Sequence, residues 1–183
     1  DCDLGEASVQ IASDSYGIGE LATRRLIDDG CSRILCLRNN SRMRMPANKR
    51  TDAYHDVVEQ AGLPALVREV EFVKSDDEKS AVVAKILDEN PDIDGIFAGD
   101  DTMAAICLNV MKQRGLSAPD DIKVVGADGA RRTMTFMPDL TTVRQDIDRI
   151  GELAAQSIIA LVNGEKPESN TKLPVELIEG KTA

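Results

Sequence analysis

Residues 138–146 read PDLTTVRQD, a short β-branched run that opens directly into an amphipathic segment. The run is too short to form a core strand by itself, and β-branched residues of this kind favour strands. The apolar residues that follow it recur three and four positions apart, the spacing of a helix; they are Ile147, Ile150, Ala154, Ile158 and Leu161. This late pair of a strand and a helix follows what otherwise reads as a finished sheet, so its place decides the organisation of the fold.

Before this stretch the chain alternates short buried strands with amphipathic helices. The strands are predicted at 9–12, 33–37, 67–72, 95–98 and 122–127. The helices are predicted at 16–29, 48–61, 77–89 and 102–114, and glycines follow three of them at Gly30, Gly62 and Gly115. Alternation of this kind is typical of βα units. We therefore predict an α/β fold, an open parallel sheet with helices on both faces.

The composition sets limits on the function. The chain has 183 residues, 42% of them hydrophobic, enough for one or two compact units. A formal net charge of −10 repels a phosphate backbone, so this segment is not expected to bind DNA by itself. It shows neither a membrane-spanning run nor the start of a signal peptide, and it is expected to be soluble. Four cysteines without metal-binding or disulfide spacing, Cys2, Cys31, Cys36 and Cys107, are expected to be reduced.

Carboxylates follow three of the predicted strands. Asp14 follows VQIAS, Asp100 and Asp101 follow GIFAG, and Asp128 follows VVGA. Ligands of open parallel sheets bind beyond the carboxyl ends of the strands, so these side chains are candidates for binding. Asp14, Asp100 and Asp101 each precede a helix and could equally be N-caps. Asp128 is less easily explained in that way, because ADGARRTM at 127–134 begins no clear helix.

A basic loop at 38–50, RNNSRMRMPANKR, reaches the same edge of the predicted sheet. Its cationic residues are Arg38, Arg42, Arg44, Lys49 and Arg50. Arg42 and Lys49 are expected to be solvated, and Arg44 remains open between solvent and site. Arg50, in the first turn of the next helix, is predicted to point inward. A guanidinium beside carboxylates can hold a polyhydroxylated or carboxylated small molecule.

Catalytic motifs are weak in this sequence. The single histidine, His55, is expected at the surface, and it has no Ser or Cys nucleophile motif beside it. Neither a Walker loop nor a GxGxxG motif is present. A phosphoacceptor receiver would take its acidic pair from the first strand, whereas Asp100 and Asp101 follow the fourth. We therefore predict that the chain is not an enzyme, with no metal and no cofactor.

Five blocks of the sequence resemble, in order and spacing, the effector-binding core of the lactose and purine repressor family. These blocks are SDSYGIGELATRRLIDDGCSRI (13–34), KRTDAYHDVVEQAGL (49–63), IDGIFAGDDTMAA (93–105), APDDIKVVGADG (118–129) and MPDLTTVRQDIDRIGELAA (137–155). Proteins of this family are similar in turn to periplasmic sugar-binding proteins, which have two lobes of the same topology. The resemblance extends over essentially the whole chain.

The resemblance implies a division of the chain between two lobes. Residues 13–130 would form the C-terminal effector-binding lobe. Residues 138–166 would cross a hinge and supply a returning strand and helix of the N-terminal lobe, and residues 171–183 would return to the C-terminal lobe. The DNA-binding headpiece and most of the N-terminal lobe would then lie upstream of this chain. The apolar stripe that begins at Ile147 would lack its usual cover, so the isolated chain is expected to self-associate.

The resemblance also assigns the site. Asp14 matches the Asp of the family's DN motif, Arg50 the Arg of RxxGF, and Asp128 the Asp of GFD. Asp100 and Asp101 match the Asn and Asp of ND. The predicted ligand-binding residues are therefore Asp14, Arg50, Asp100 and Asp128, together with Arg44. An aromatic residue common after the third strand is absent, which favours a sugar over a purine as the effector.

The function implied is the effector-sensing part of a cytoplasmic bacterial transcriptional repressor. It would bind a small polar effector, expected to be a sugar, between two lobes of each subunit of a homodimer. DNA would be contacted only by the upstream headpiece, and no membrane partner is expected. The alternative is a periplasmic sugar-binding protein that delivers its ligand to a transporter; MPDLTTVRQD favours the repressor.

Overall fold

The computed structural model describes residues 9–40, 47–71 and 74–183, and the structural statements below refer to these residues. The strands are β1 (Gln10–Ser13), β2 (Ile34–Asn40), β3 (Leu66–Glu71), β4 (Gly95–Ala98), β5 (Lys123–Asp128), β6 (Thr141–Gln145), β7 (Asn170–Leu173) and β8 (Val175–Ile178). The helices are α1 (Ser15–Asp28), α2 (Ala47–Gln60), α3 (Asp76–Glu89), α4 (Asp101–Gln113), α5 (Arg131–Phe136) and α6 (Ile147–Val162).

Six strands form the main sheet in the order β3-β2-β4-β5-β6-β8. The neighbours from β3 to β6 pair in parallel, and only β8 runs antiparallel, beside β6. Strands β1 and β7 pair in parallel in a separate two-stranded sheet. The structure therefore confirms the predicted α/β fold with an open, mostly parallel sheet.

Helices cover both faces of the main sheet because successive strand residues point to opposite sides. In β2, Leu35 and Leu37 pack in one apolar cluster with residues of α3 and α4, whereas Ile34 and Cys36 pack in a second with residues of α1 and α2. In β4, the fully buried Ile96 and Phe97 divide in the same way. Burial of each such side chain contributes roughly 1.5–3 kcal/mol relative to an exposed one.

The helix boundaries have local causes that the sequence shows. Ser75 caps α3 in a capping box with Glu78, which satisfies two otherwise unpaired backbone N–H groups. The glycines predicted to follow helices, Gly30, Gly62 and Gly115, all have positive φ, between 69° and 89°. The short helix α5 contradicts the expectation that no helix follows Asp128. It has six residues and no side-chain N-cap, so the usual start signal is missing from the sequence.

Strand β6 corrects the predicted domain boundaries. It pairs in parallel with β5, from Val125 opposite Thr141 to Asp128 opposite Arg144. Its first three residues, Thr141–Val143, are buried within the main sheet. The prediction that the strand in 138–146 belongs to the second lobe is therefore wrong, because β5 needs a neighbour and the β-branched run supplies it.

A second, smaller unit consists of β1, β7 and α6. Helix α6 contacts β1, and a cavity of about 230 Å³ between α6 and the two strands is lined by residues such as Ile11, Leu153 and Thr171. Strand β7 stays with β1, so the return predicted for 171–183 begins only at β8. The chain thus passes between the two units at Asp14, Asp146 and Pro174. That this unit belongs to a larger second lobe stays a prediction.

The apolar face predicted for α6 is exposed. The helix has no fully buried residue; Ile150 and Leu153 are half-buried, and its other large apolar side chains are exposed. Those that are exposed are Ile147, Ile158, Ile159, Leu161 and Val162. An uncovered face of this size is uncommon on a soluble monomer, which keeps the expectation of self-association open to test.

Candidate ligand site

Arg50 and Asp128 form an ion pair at the carboxyl ends of the strands. The Nη2 atom of Arg50 lies 2.9 Å from Oδ1 of Asp128, and its Nη1 donates to the carbonyl oxygen of Gly99 at 2.6 Å. Only 14% of the Arg50 side chain is exposed, so it points inward as predicted. Its Nε is buried and finds no hydrogen-bond partner among the described residues. This N–H therefore remains free to donate, which makes Arg50 a candidate donor to a ligand.

Close packing of two helices places Arg50. Helix α1 crosses the start of α2 at Gly19, where an added Cβ would lie 2.8 Å from the carbonyl carbon of Arg50. Real Cβ atoms do not approach backbone this closely, so only glycine permits this contact. The GxG at 17–19 therefore has a packing role in this chain.

Asp128 has an unusual backbone and two donors to one oxygen. Its φ is +104°, a value that residues other than glycine seldom adopt, and strained residues of this kind cluster at functional sites. Gln145 donates from Nε2 to the same Oδ1 at 2.6 Å. Burial raises the pKa of Asp128, and the guanidinium of Arg50 partly offsets this effect. The carboxylate is thus fixed in direction by partners from α2 and β6.

Asp101 contacts Gly129, the residue after Asp128, and is almost completely buried, with 3% of its surface exposed. Its Oδ2 accepts from the backbone N–H of Gly129 at 2.9 Å, and its Oδ1 accepts from the hydroxyl of Thr142 at 2.6 Å. Burial raises the pKa of Asp101 to about 6. The expectation that Asp101 could be an N-cap is wrong, because Asp100 occupies that position and Asp101 is the first residue inside α4.

Asp14 and Asp100 both cap helices in this structure. Asp14 accepts from the N–H of Gly17 at 3.2 Å, and its other oxygen lies 3.2 Å from Nζ of Lys172 on β7. Asp100 accepts from the N–H of Met103 at 2.8 Å. The capping alternative is therefore confirmed for both residues. A role in ligand binding stays a prediction for them, and capping does not exclude it.

The structure brings some of the predicted site residues together and leaves others apart. Arg50 contacts Asp128 directly, and Asp100 lies near enough to Asp128 for its charge to raise the pKa of that carboxyl. Asp14 pairs with Lys172 at the passage between the two units. Arg44, like Arg42, lies outside the described residues. Lys49 and His55 are exposed, as expected.

The sequence reasoning missed Gln145 and Thr142. Both lie on β6, which was assigned to the second lobe, so its carboxyl end was not searched for polar residues. The rule that located Asp128 at the end of β5 also points to Gln145 at the end of β6, once the two strands are known to be neighbours. Within the described ranges, no group of His, Cys, Asp or Glu could hold a metal ion, and no helix is long and apolar enough to cross a membrane.

Comparison with known proteins identifies the family. A family model described as a periplasmic binding protein-like domain matches residues 23–183. A ribose operon repressor of Halalkalibacterium halodurans is 31% identical over 175 residues, which cover 94% of this chain and 51% of the repressor. The chain belongs to the lactose and purine repressor family. The resemblance seen in the sequence blocks is thereby confirmed.

Further members of the lactose and purine repressor family show the same extent of similarity. A sucrose operon repressor of Pediococcus pentosaceus is 32% identical over 173 residues, 93% of this chain and 53% of that protein. A regulator of the family from Arthrobacter sp. FB24, solved as a complex with lactose, superposes with a TM-score of 0.86 at 25% identity. That superposition covers 100% of this chain and 68% of the regulator.

The chain spans about half the length of the curated relatives that it matches. These relatives are named as repressors and not as enzymes, in line with the prediction for this chain. What the match supports directly is an effector-binding domain of the lactose and purine repressor family.

Proposed function

We propose that this domain binds a sugar effector at the Arg50–Asp128–Gln145 cluster and signals its presence to the rest of a transcriptional repressor. The observation that carries the proposal is the ion pair between the inward-pointing Arg50 and Asp128, together with the amide of Gln145. Asp128 and Gln145 are the last residues of the adjacent strands β5 and β6. Sugar hydroxyls both donate and accept, so a carboxylate and a guanidinium side by side match them.

The chemistry of the surroundings supports a sugar over an aromatic ligand. Among the described residues, the hydrogen-bond partners found for Arg50 and Asp128 are each other, the carbonyl of Gly99 and the amide of Gln145, and none of these is an aromatic group. A purine would gain most of its affinity from stacking on an aromatic ring. The names of the ribose and sucrose operon repressors, and the lactose complex of the related regulator, point to the same class of ligand.

The site is placed so that binding can change the arrangement of the two units. Gln145 contacts Asp128 and is the last residue of β6, directly before the passage to α6 at Asp146. A ligand that binds more tightly to one arrangement shifts the population toward it, by an amount set by the difference in affinity. In the whole protein, a cytoplasmic homodimer, this shift would change how an upstream headpiece meets DNA.

Calorimetric titration of the full-length protein with D-ribose, sucrose and lactose tests the binding. A hydrogen bond to a charged group contributes about 1.5–3 kcal/mol, so Arg50→Ala should weaken binding by about 10- to 150-fold. Asp128→Asn should weaken it similarly. Arg114→Ala is the matched control, because Arg114 pairs with Asp88 on the outer surface, far along α4 from the site. Unchanged affinity in both site variants, with thermal unfolding followed separately, would contradict the site.

A second measurement separates the repressor from a protein that delivers sugar to a transporter. In an electrophoretic mobility assay, the full-length protein should shift duplex DNA from its own promoter region. The sugar that binds in the calorimeter should change the fraction shifted. A protein that binds the sugar but does not bind this DNA at any sugar concentration would favour the transporter role.

A further inference from the structure

The carboxylate of Asp101 joins three separate segments of the chain. It projects from the first residue of α4, accepts from the N–H of Gly129 after β5, and accepts from the hydroxyl of Thr142 on β6. The space for it is provided by Gly126, where a Cβ would lie 2.6 Å from Oδ1 of Asp101. The helix, the turn and the strand therefore meet at this one buried group.

The turn held in this way is the one that carries Asp128. Asp128 and Gly129 both have positive φ, +104° and +58°. For an aspartate such a conformation is strained, so it persists only where its surroundings fix it. Gly129 directly follows Asp128, and its backbone N–H makes a buried hydrogen bond to the carboxylate of Asp101.

We propose that Asp101 is a positioning residue, which holds the Asp128–Gly129 turn so that the carboxylate of Asp128 faces Arg50 and Gln145. It would not touch the sugar itself. This inference deepens the proposed function, because it names the group that preorganises the binding site. Preorganisation raises affinity because the protein does not have to order the site when the ligand arrives.

Hydrogen bonds, and not charge, are what Asp101 contributes to the turn. The donors to Asp101 are all neutral: the hydroxyl of Thr142 and the backbone N–H groups of Gly129 and Ala130. The carboxylate of Asp128 is the charge that acts on Asp101, and Arg50 and Asp100 act in turn on Asp128. An asparagine could keep the bonds with Gly129 and Thr142, because its oxygen accepts from Gly129 and its NH₂ donates to the hydroxyl of Thr142. An alanine would lose both.

The test follows the guanidinium of Arg50 by NMR in the full-length protein labelled with ¹⁵N-arginine. The Nη–H signals are assigned by their loss in Arg50→Lys; a guanidinium held by Asp128 and Gly99 gives slowly exchanging signals. Asp101→Ala should abolish the slow exchange, and Asp101→Asn should retain it. Thr142→Val, which removes the side-chain donor to Asp101 and keeps the side-chain shape, should speed the exchange several-fold and provides the answer if Asp101→Ala does not fold.

Thr182→Val is the matched control for Thr142→Val. Thr182 is also buried, and its hydroxyl donates to the carbonyl of Val124 at 2.7 Å, at the end of β5 opposite to Asp128. Both substitutions should lower the melting temperature, but only Thr142→Val should change the Arg50 signals. Equal signals in the two variants, or slow exchange that survives in folded Asp101→Ala, would overturn the proposal.

The NMR result does not depend on any sugar, so the two proposals can fail separately. If ribose, sucrose and lactose do not bind the wild-type protein while the Arg50 signals respond as expected, the sugar assignment fails and the positioning role stands. If sugar binds and folded Asp101→Ala has the affinity of the wild type, the positioning role fails and the sugar site stands. Asp101→Ala that binds the sugar at least ten-fold more weakly, with rescue by Asp101→Asn, supports both.

Discussion

Asp101 makes the stability of this domain depend on pH in a direction opposite to that of most aspartates. Burial raises its pKa from 3.8 to about 6, so the folded state holds a proton more tightly than the unfolded state does. The stabilising contribution of this group is therefore complete below pH 3.8 and is lost as the pH rises through 6. The raised pKa of Asp128 acts in the same direction.

Asp101→Asn should accordingly stabilise the domain at pH 8. Each pKa unit corresponds to about 1.4 kcal/mol, so the gain in the free energy of unfolding should be about 3 kcal/mol at most. The difference from wild type should disappear near pH 4, where Asp101 is protonated in the wild type as well. Urea unfolding at pH 8, 6 and 4 measures this. The exposed Asp121, whose pKa is lowered by the N–H and hydroxyl of Ser117, is the control, and Asp121→Asn should show the reverse trend with pH.

Gly19 supplies a second prediction about a single residue. Gly19→Ala should destabilise the domain by roughly 1–3 kcal/mol, because the new methyl group must push α1 away from the backbone of Arg50. It should also weaken sugar binding by displacing Arg50. Gly151→Ala is the matched control, since Gly151 lies in α6 with nothing within 4 Å of an added Cβ. That change should stabilise by about 0.5–1 kcal/mol through helix propensity. Urea unfolding of both variants decides the prediction, and equal effects would contradict it.

At the level of helices and strands, the sequence predicts element boundaries correctly where the apolar spacing and the capping residues agree. The strand at 95–98 and the helix ends before Gly30, Gly62 and Gly115 were located from apolar spacing and glycines alone. The prediction for β6 was wrong because the pairing of a strand depends on residues outside that strand. Nothing within LTTVRQ shows that its neighbour is β5. Asp128 was found by the rule for strand ends, whereas Gln145 was lost with the misplaced strand.

Helix α6 leads to a prediction about self-association. Its exposed apolar face should drive the isolated 183-residue chain to associate, in a manner that depends on protein concentration. Ile158→Lys together with Val162→Lys should reduce association, because a charged side chain cannot be buried cheaply in an apolar contact. Sedimentation velocity over a range of concentrations measures the effect. Phe136→Lys, an exposed apolar residue on α5, is the control, and a wild-type chain that is monomeric throughout would contradict the prediction.

At the level of the whole molecule, charge governs the interaction with nucleic acid. The net charge of −10 should prevent this chain alone from binding duplex DNA at physiological salt, since affinity for DNA depends on clustered cations that release counterions. Fluorescence anisotropy with a labelled duplex, repeated at low and high salt, tests this. Binding that weakens steeply with added salt would show a cationic surface that the described residues do not suggest.

The pairing of β1 with β7 also has a consequence for synthesis of the chain. Gln10 pairs with Asn170, so the small sheet must wait until all the strands from β2 to β6 have left the ribosome. Strand β8, which closes the edge of the main sheet beside β6, emerges immediately after β7. Residues 170–178 therefore complete both sheets in one step of translation. A nascent chain that stalls before them leaves two strand edges open, and such edges invite aggregation.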